Sequence, residues 1–300
     1  MYREFIKICQ MPQENLKAYL AKKLSKTYDN VVAADGFVYA QGEFPVLLVA
    51  HMDTVHKELP TVIEYDKNLN SLSSPQGIGG DDRCGIYMIL EVIKHFNCSV
   101  LFCEDEEIGG VGAEKFVKTK LAETLDFNYI IEFDRKGEKD AVFYNCDNPE
   151  FEAFITDGYF KTAYGSFSDI SIIAPELKCA AVNLSCGYYN AHTTDEFVVM
   201  TEMENNIHEA CVILDKTTKN DRFEYIEGYS GLYDDWYMYE AFGDKGEKYY
   251  LVAYYDEDFN EEYAEIYANS RIEAIGHFCM QYSHIPYDNV IHVYEDKELN

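Results

Sequence analysis

Five short motifs rich in acidic residues and histidine most constrain the fold of this 300-residue chain. Each of them occurs where a predicted strand runs into a loop. They are, in chain order, His51-Met52-Asp53, Asp81-Asp82-Arg83, Glu106-Glu107, Asp134 and His192. Any one of these motifs is ordinary by itself. Five in this order predict side chains that gather at one edge of a sheet, because functional residues of α/β sheets collect at the carboxyl ends of the strands.

Apolar runs that predict strands alternate with helical patterns over residues 1–218. Residues 1–28 have helical spacing, and VVAADGFVYA predicts a hairpin that turns at Asp35-Gly36. Val46–Ala50 is a continuous apolar run, as in a strand covered on both faces. Further strands are predicted at SVLFC, FNYIIEFD and KCAAVNLSCG, with helices at RCGIYMILEVIKH, GAEKFVKTKLAE and MTEMENNIHEACVIL. This alternation predicts a three-layer α/β/α domain with a mostly parallel, mixed sheet.

The composition changes near residue 218, where the polar stretch KTTKNDR predicts a linker. The last 80 residues hold 14 of the 26 tyrosines and are strongly acidic. KYYLVAYYDED and EEYAEIYANS have the aromatic and β-branched content of strands, and SRIEAIGHFCMQYS predicts a helix with Ser270 as its N-cap. We therefore expect a catalytic-type domain over residues 1–218 and a small α+β domain over residues 219–300, whose role the sequence does not assign.

Charge and cysteine content limit the partners and the compartment. A formal net charge of −29 repels nucleic acid and anionic membranes, so neither is expected as a partner. The chain lacks an apolar run of about 18 residues, so no transmembrane helix is expected, and its first residues lack a signal-peptide core. Nine cysteines without a CxxC pair predict reduced thiols and a cytoplasmic location. Cys84, beside the motifs, is expected to be a small core residue.

The first two motifs suit metal binding. Histidine is the commonest side-chain metal ligand, and its second ring nitrogen often bonds a carboxylate that fixes the ring. Asp53 lies two residues after His51 and would point the same way along an extended strand, so it can hold the His51 ring. A carboxylate such as Asp81 can bridge two cations. The alternative for the Asp81-Asp82 pair is a helix N-cap.

The remaining motifs add three more groups. Glu106 and Glu107 end a run of four acids, which repel one another unless cations or solvent relieve them. One could bind a metal while its neighbour takes a proton from water; a solvated turn is the alternative. Asp134 ends an apolar strand, and His192 lies in a polar turn where a plain surface histidine is the alternative. Such a mixed nitrogen and oxygen set suits two divalent ions, zinc first and cobalt or manganese next.

The motifs HMDTV, GIGGDDRCG, EDEEIGGVGA, the aspartate of EFDRKG and the histidine of NAHTTDEFV resemble, in order, those of the co-catalytic dinuclear zinc exopeptidases. That superfamily includes peptidase T-like tripeptidases and single-domain and tetrahedral aminopeptidases. The resemblance covers residues 5–215. It implies that Asp81 bridges two zinc ions and that the two sites are completed by His51 with Asp134 and by Glu107 with His192. It also implies that Glu106 is the general base and that Asp53 orients His51.

Two further features follow from the resemblance. Family members often have a cis peptide after the bridging aspartate, which makes Asp81–Asp82 a candidate, and SFSDI (residues 166–170) resembles the family's small-residue-plus-aspartate turn. Many members insert a lid domain between the fourth and fifth motifs. Only 58 positions separate these motifs here, so a full lid does not fit and the oxyanion-stabilising group is unassigned. Tyr164, Tyr188 and Tyr189 are either donors for that purpose or packing aromatics.

These observations favour a cytoplasmic, dinuclear metal-dependent exopeptidase. An aminopeptidase acting on short peptides or amino-acid amides is the first hypothesis. A deacylase or carboxypeptidase of the same superfamily is the alternative among enzymes. A binding or scaffold protein that keeps the fold without turnover is the alternative from another class. Oligomerisation is left open.

Overall fold

The computed structural model describes residues 2–165, 167–228, 248–256, 260–268, 274, 277–278, 281–282, 285 and 289–295. The chain divides into two compact units. The larger comprises Met1–Thr162 and Phe167–Ile226, and the smaller comprises Ala163–Ser166 and Glu227–Asn300. Residues 219–226, which the sequence analysis assigns to the C-terminal domain, belong to the larger unit. There the ring of Phe223 packs against that of Phe154, with 5.1 Å between the centroids.

The larger unit contains seven α-helices and twelve short or medium strands among its described residues. The helices are α1 (Arg3–Cys9), α2 (Gln13–Leu24), α3 (Gly80–Val92), α4 (Val111–Val117), α5 (Pro149–Thr156), α6 (Ile170–Leu177) and α7 (Met200–Lys216), with a 3₁₀ helix at Ala122–Thr124. The strands are β1 (Val31–Ala34), β2 (Phe37–Ala40), β3 (Phe44–His51), β4 (Glu64–Asp66), β5 (Ser71–Ser73), β6 (Cys98–Cys103), β7 (Tyr129–Arg135), β8 (Asp140–Val142), β9 (Lys161–Ala163), β10 (Ala181–Ser185), β11 (Tyr188–Tyr189) and β12 (Phe197–Val199).

The main sheet has eight strands in the order β1-β2-β6-β3-β7-β10-β8-β9. Its four central strands, β6, β3, β7 and β10, are parallel to one another. The hairpin β1–β2 joins one side and β8 joins the other, both antiparallel to their neighbours. The predicted mixed sheet with a parallel centre is thus confirmed, and the carboxyl ends of the four central strands face the same edge.

Strand β3 shows why helices cover both faces of the sheet. Val46 and Leu48 pack in one apolar core with residues of α3 and α7, whereas Leu47 and Val49 pack in a second core with residues of α4 and α6. Alternate side chains of a strand point to opposite faces, so a continuous apolar run needs a layer of helices on each side. The three-layer α/β/α architecture is confirmed.

The N-terminal segment is helical, as its spacing predicts. Within residues 2–28 it forms two helices, α1 and α2. Pro12 immediately precedes α2 and has no backbone N–H to continue α1, so the chain breaks there and starts a new helix. The predicted hairpin is present, and Gly36 has φ +91° in its turn. None of the helices in the described residues combines the length and apolar character needed to cross a bilayer.

A second sheet of four very short strands, in the order β11-β12-β5-β4, lies in the same unit. Its strands have only two or three residues each, too few for the sequence pattern to predict them. Strand β12 pairs antiparallel with β5, with Phe197 opposite Ser73 and Val199 opposite Ser71. This pairing places the segment that follows His192 next to the segment that leads into helix α3.

The smaller unit contains a three-stranded antiparallel sheet of β13 (Lys248–Tyr255), β14 (Glu261–Ala268) and β15 (Val290–Glu295), in the order β14-β13-β15. Its core contains Val252, Ile266 and Phe278. Ala274, His277, Phe278 and Gln281 are helical. The small α+β character is confirmed; the predicted N-cap, Ser270, lies outside the described residues.

Candidate metal centre

The parallel strands bring His51 and Asp134 together at one edge of the main sheet. His51 is the last residue of β3 and lies opposite Cys103, the last residue of β6. Asp134 lies near the end of β7, the strand on the other side of β3. The Nε2 atom of His51 is 2.9 Å from Oδ1 of Asp134. Two of the predicted groups are therefore in contact because their strands end at the same level.

Asp53 connects the end of β3 to the loop that carries the two glutamates. Its Oδ1 atom is 3.2 Å from Nδ1 of His51 and accepts a hydrogen bond of 3.0 Å from the backbone N–H of Glu106. Its Oδ2 atom accepts another, also of 3.0 Å, from the N–H of Glu107. The contact with His51 is the one that the sequence analysis predicts. The two bonds to the acidic loop are additional, and they fix both glutamates relative to His51.

Asp81, Glu107 and His192 meet at a second point. Asp81 is in the first turn of α3, and its Oδ2 atom is 2.6 Å from Nε2 of His192. The same imidazole nitrogen is 3.0 Å from Oε1 of Glu107. The Asp81–Asp82 peptide is trans, so the expected cis bond is wrong. Helix α3 begins directly after Gly79, whose φ of +67° turns the chain into the helix without a cis bond.

The side chains in the centre can hold metal ions. Within the described residues, ligand atoms lie within 4.8 Å of one another in three groups: His51, Asp81 and Asp134; Asp81, Glu107 and His192; and His51, Glu106 and Glu107. Asp81 belongs to the first two groups, as a bridging ligand must. Oε1 of Glu107 is buried, and although it lies close to the His192 ring it accepts no well-aligned hydrogen bond from the described residues. It is therefore an acceptor still in need of a partner. Mixed imidazole and carboxylate donors fit zinc and similar divalent ions.

The electrostatics of the centre also favour cations. Burial, followed by the negative charge of Asp134, raises the pKa of Glu106 to about 9. Burial likewise raises the pKa of Asp134. The pKa of His192 is raised to about 11, chiefly by its bond to Asp81 and then by its contact with Glu107. The carboxylates are thus short of positive charge, and bound divalent ions would supply it.

A polar cluster on the side of Asp134 away from His51 holds that carboxylate in place. Ser168 donates to Oδ2 of Asp134 at 3.0 Å, and Nδ2 of Asn183 donates to the same atom at 3.3 Å. Oδ1 of Asn183 accepts from the N–H of Asp134 at 2.9 Å. The Ser168 hydroxyl also contacts the buried carboxyl of Glu132. The SFSDI segment therefore contacts the centre, which supports the resemblance that the sequence analysis drew for it.

The cysteine and the three tyrosines singled out in the sequence differ in their surroundings. Cys84 is fully buried in the apolar core, as expected. Tyr188 is buried and its hydroxyl donates to the backbone oxygen of Asp134 at 2.7 Å, while the Tyr189 hydroxyl donates to Glu202 at 2.7 Å. Tyr164 belongs to the smaller unit and packs against the core of that unit. The Tyr188 hydroxyl therefore lies against the centre, where it also contacts the Asp81 carboxylate, whereas the Tyr189 hydroxyl bonds an acid outside the centre.

Sequence reasoning missed two residues in this region. Glu196 is completely buried, and its carboxylate accepts hydrogen bonds from the N–H groups of Gly79 and Asp81. His56 lies beside it, with Nε2 3.0 Å from Oε2 of Glu196. A carboxylate that bonds backbone N–H groups more than 100 positions away leaves no periodic pattern. The only signal was position: Glu196 lies inside the motif NAHTTDEFV, and His56 directly follows the motif HMDTV.

No protein-family model matches the sequence, and no curated protein matches it. Solved structures do match the fold. Aminopeptidase PepT from Bacillus cereus is 14% identical with a TM-score of 0.56, covering 71% of this chain and 96% of that one. The TET1 peptidase of Pyrococcus horikoshii is 15% identical with a TM-score of 0.55, covering 72% and 100%. A glutaminyl cyclase from Tannerella forsythia is 15% identical with a TM-score of 0.52, covering 72% and 97%.

At such low identity these likenesses establish the fold and leave the reaction open. The three matched chains are covered almost completely, so the similarity extends over a whole domain. Two of them are peptidases and one is a cyclase. This chain has the fold that these enzymes share, as the resemblance of its motifs to those of the dinuclear zinc exopeptidases predicts.

Proposed function

We propose that this protein is a dinuclear metal-dependent exopeptidase, and specifically an aminopeptidase that acts on short peptides or amino-acid amides. The observation that carries the proposal is the position of Asp81, which belongs to two groups of ligands at once, with Glu106 and Glu107 beside them. The shared fold with an aminopeptidase and a tetrahedron-forming peptidase supports it. Its eight described cysteines are unpaired, which suits a cytoplasmic location.

Each residue of the centre has a role in this proposal. His51, Asp81 and Asp134 would hold one divalent ion, and Asp81, Glu107 and His192 would hold the other. Zinc fits this donor set best, and cobalt and manganese also fit it. When bound, two such ions polarise a peptide carbonyl and make a water molecule more acidic.

Glu106 is the proposed general base. It takes a proton from the attacking water, and it returns that proton to the nitrogen of the leaving amine as the peptide bond breaks. The position of Glu106 suits this role for two reasons. Its backbone N–H donates a hydrogen bond to Asp53, which fixes the loop, and its carboxylate lies near the ligand atoms of His51 and Glu107. Its pKa is already raised, chiefly by burial, and nearby divalent charge would bring it down toward neutrality, where a base can both accept and release a proton.

A deacylase or carboxypeptidase is the second candidate. Attack by water on an amide carbonyl needs the same residues in each case. The match to a glutaminyl cyclase favours keeping this candidate, since it shows that the fold supports reactions other than peptide hydrolysis. The substrate therefore has to be determined by experiment.

A substrate panel tests the proposal. The full chain, loaded in turn with zinc, cobalt and manganese, is assayed on amino-acid amides and short peptides with free N-termini, on N-acyl amino acids, and on peptides ending in glutamate. We expect release of N-terminal residues. Hydrolysis of only the second or third class would establish the deacylase or carboxypeptidase instead. A protein that binds no metal and cleaves nothing would be a binding or scaffold protein.

Glu106→Gln tests the base. The amide keeps the shape of the side chain and cannot accept the proton, so kcat should fall by about 10²- to 10⁴-fold while both ions remain bound. Glu114→Gln is the matched control, because Glu114 is an exposed helical acid paired with Lys118. Unchanged kcat in Glu106→Gln would remove Glu106 from the mechanism.

A further inference from the structure

Glu196 is a buried acid that the proposed reaction does not use. Its side chain has no exposed surface. Its Oε2 atom accepts hydrogen bonds from the N–H of Gly79 at 2.7 Å and from the His56 ring at 3.0 Å. Its Oε1 atom accepts from the N–H of Asp81 at 3.1 Å. A fully buried carboxylate is costly unless it is paired, and here three donors surround it.

The bonds to Gly79 and Asp81 complete the N-terminus of helix α3. The first N–H groups of a helix have no partner within the helix, and a side chain at the N-cap position commonly accepts from them. The N-cap of α3 is Gly79, which has no side chain to do so. Glu196 supplies the missing acceptor from a distant segment, and its negative charge is favourable beside the helix N-terminus.

The small four-stranded sheet explains how Glu196 reaches this position. Glu196 immediately precedes β12, which pairs with β5, and residues 74–79 lead from β5 into α3. Gly80 keeps the approach open. A Cβ atom at Gly80 would lie 2.7 Å from Cγ2 of Val198 and 2.9 Å from Cβ of Tyr188. The two segments can approach this closely only because a glycine starts the helix.

The same residue anchors the loop that carries His192. Glu196 follows His192 by four positions, and its N–H donates to the backbone oxygen of Thr193 at 3.3 Å. His192 has φ +65°, a conformation that costs a residue other than glycine about 1 kcal/mol or more and persists only where the surroundings enforce it. Glu196 therefore ties two elements together. One carries Asp81 and the other carries His192, whose Nε2 is 2.6 Å from the Asp81 carboxylate.

The geometry points to Glu196 as a positioning residue that keeps the Asp81 carboxylate and the His192 ring in register, so that one aspartate can serve two metal ions. This inference rests on the proposed dinuclear function. Glu196 belongs to none of the groups of ligand atoms among the described residues. It acts through the backbone of Asp81 and through the loop of His192.

Glu196→Gln tests this role because an amide has a single acceptor oxygen. Whichever way the amide turns, its NH₂ group faces the N–H of Gly79 or that of Asp81, and one of those bonds is lost. Removal of an outer partner of a metal ligand typically weakens metal binding by about 10- to 100-fold. We therefore expect Glu196→Gln to bind the second equivalent of Co²⁺ about 10- to 100-fold more weakly than the parent protein. Visible absorption of bound Co²⁺ and calorimetry measure this affinity. The kcat of the variant should recover at excess Co²⁺.

Two further variants accompany it. Glu196→Asp keeps both acceptor oxygens on a shorter side chain and should restore part of the affinity. If Glu196→Gln does not fold, the metal affinity of Glu196→Asp tests the positioning role in its place. Asp195→Asn is the matched control. It removes the same charge from the adjacent, exposed residue and should bind two equivalents like the parent protein.

The outcomes separate this inference from the proposed function. If the parent protein binds no metal and cleaves no substrate, the proposed function fails and the role of Glu196 fails with it. If the parent binds two ions and is active, while folded Glu196→Gln and Glu196→Asp bind both equivalents with parental affinity and turn over at the parental kcat, the positioning role alone is overturned. A lower melting temperature with unchanged metal affinity would also overturn it, since that result describes a purely structural residue.

Discussion

The acids of the metal centre and the acids of the outer helices differ in how their charge is balanced. On the surface, Glu114 of α4 lies 2.7 Å from Lys118, and Glu91 of α3 pairs with Lys94. The bond to Lys118 lowers the pKa of Glu114. In the centre, burial raises the pKa of Glu106 to about 9 and also raises that of Asp134. The first set is neutralised by lysine, and the second set is not.

This contrast shows why the centre calls for bound cations. The chain has 54 acidic residues and only 25 lysines and arginines, and most of the excess acids can remain exposed to solvent. Buried carboxylates that converge within hydrogen-bonding distance of histidines need a different explanation. Divalent ions bound between these acids would balance their negative charge, as lysine balances the charge of the surface acids.

Asp81→Asn should have the largest effect. It removes the charge that both ligand groups share, so the protein should lose at least one ion and its kcat/KM should fall by about 10⁴-fold, as water activation and carbonyl polarisation are lost together. Metal content by mass spectrometry and steady-state kinetics measure the change. The surface change Glu114→Gln should leave both unaltered; if the two variants behave alike, the contrast between the two sets of acids has no functional meaning.

Removal of metal should destabilise the larger unit. An ion that binds only the folded protein at about 100 times its Kd stabilises it by about 2.7 kcal/mol. For a unit of this size that corresponds to roughly 5–10 °C in melting temperature. Thermal melts with a chelator and with added zinc measure the shift. The Asp81→Asn protein serves as control, because most of the response should disappear in it. A parent protein that melts at one temperature in both conditions would contradict the prediction.

Asp53→Asn should have a smaller effect on the same centre. The amide would offer a single oxygen where the carboxylate bonds His51 and the N–H groups of Glu106 and Glu107, so one side of this connection is lost. We expect a loss of about 10- to 100-fold in metal affinity or kcat. Calorimetric titration with zinc measures the affinity. Full activity in Asp53→Asn would show that the loop and the ring hold their positions without the carboxylate.

The pH dependence of stability should show the smallest effect, through His56. Its bond to Glu196 is the main cause that raises its pKa above the ordinary value. The protonated His56 ring therefore stabilises the folded protein fully below the pKa of histidine in the unfolded chain, about 6.5. This stabilisation is lost as the pH rises through the higher pKa of His56 in the folded protein. Because a neutral His56 ring can still donate to Glu196, only the charge-dependent part of this stabilisation, on the order of 1 kcal/mol, should be lost. Melts of the parent and of His56→Gln from pH 6 to 9 measure it: the difference between them should shrink with rising pH, and a constant difference would contradict the assignment.

The sequence predicts the parts of the fold whose pattern is long and local. Strand β3 could be recognised because Val46–Ala50 is continuously apolar, and the β1–β2 hairpin because Asp35-Gly36 is a favoured two-residue turn. Strands β4, β5, β11 and β12 have only two or three residues each, too few for periodicity to distinguish them from loop. Pro12 lies immediately before α2, and because proline fits equally within a first helical turn and just before one, the pattern locates this helix start only to within about a residue.

The candidate site divides in the same way. His51, Glu107 and Asp134 could be chosen because each follows an apolar strand, and Asp81 and His192 because they complete the order of the family's motifs; the structure brings these five residues together. Their roles as metal ligands are still a proposal. Glu196 could not be chosen, because its partners are backbone N–H groups set beside it by strands too short to predict. The bonds from Asp53 to the acidic loop depend on the same kind of tertiary contact.

The central claim is that Asp81 stands between two metal ions. A crystal structure of the zinc-loaded protein, with anomalous scattering recorded at the zinc absorption edge, tests it most directly. The account predicts two peaks, one among His51, Asp81 and Asp134 and the other among Asp81, Glu107 and His192. Crystals that show no anomalous peak beside Asp81 after soaking in zinc would contradict it.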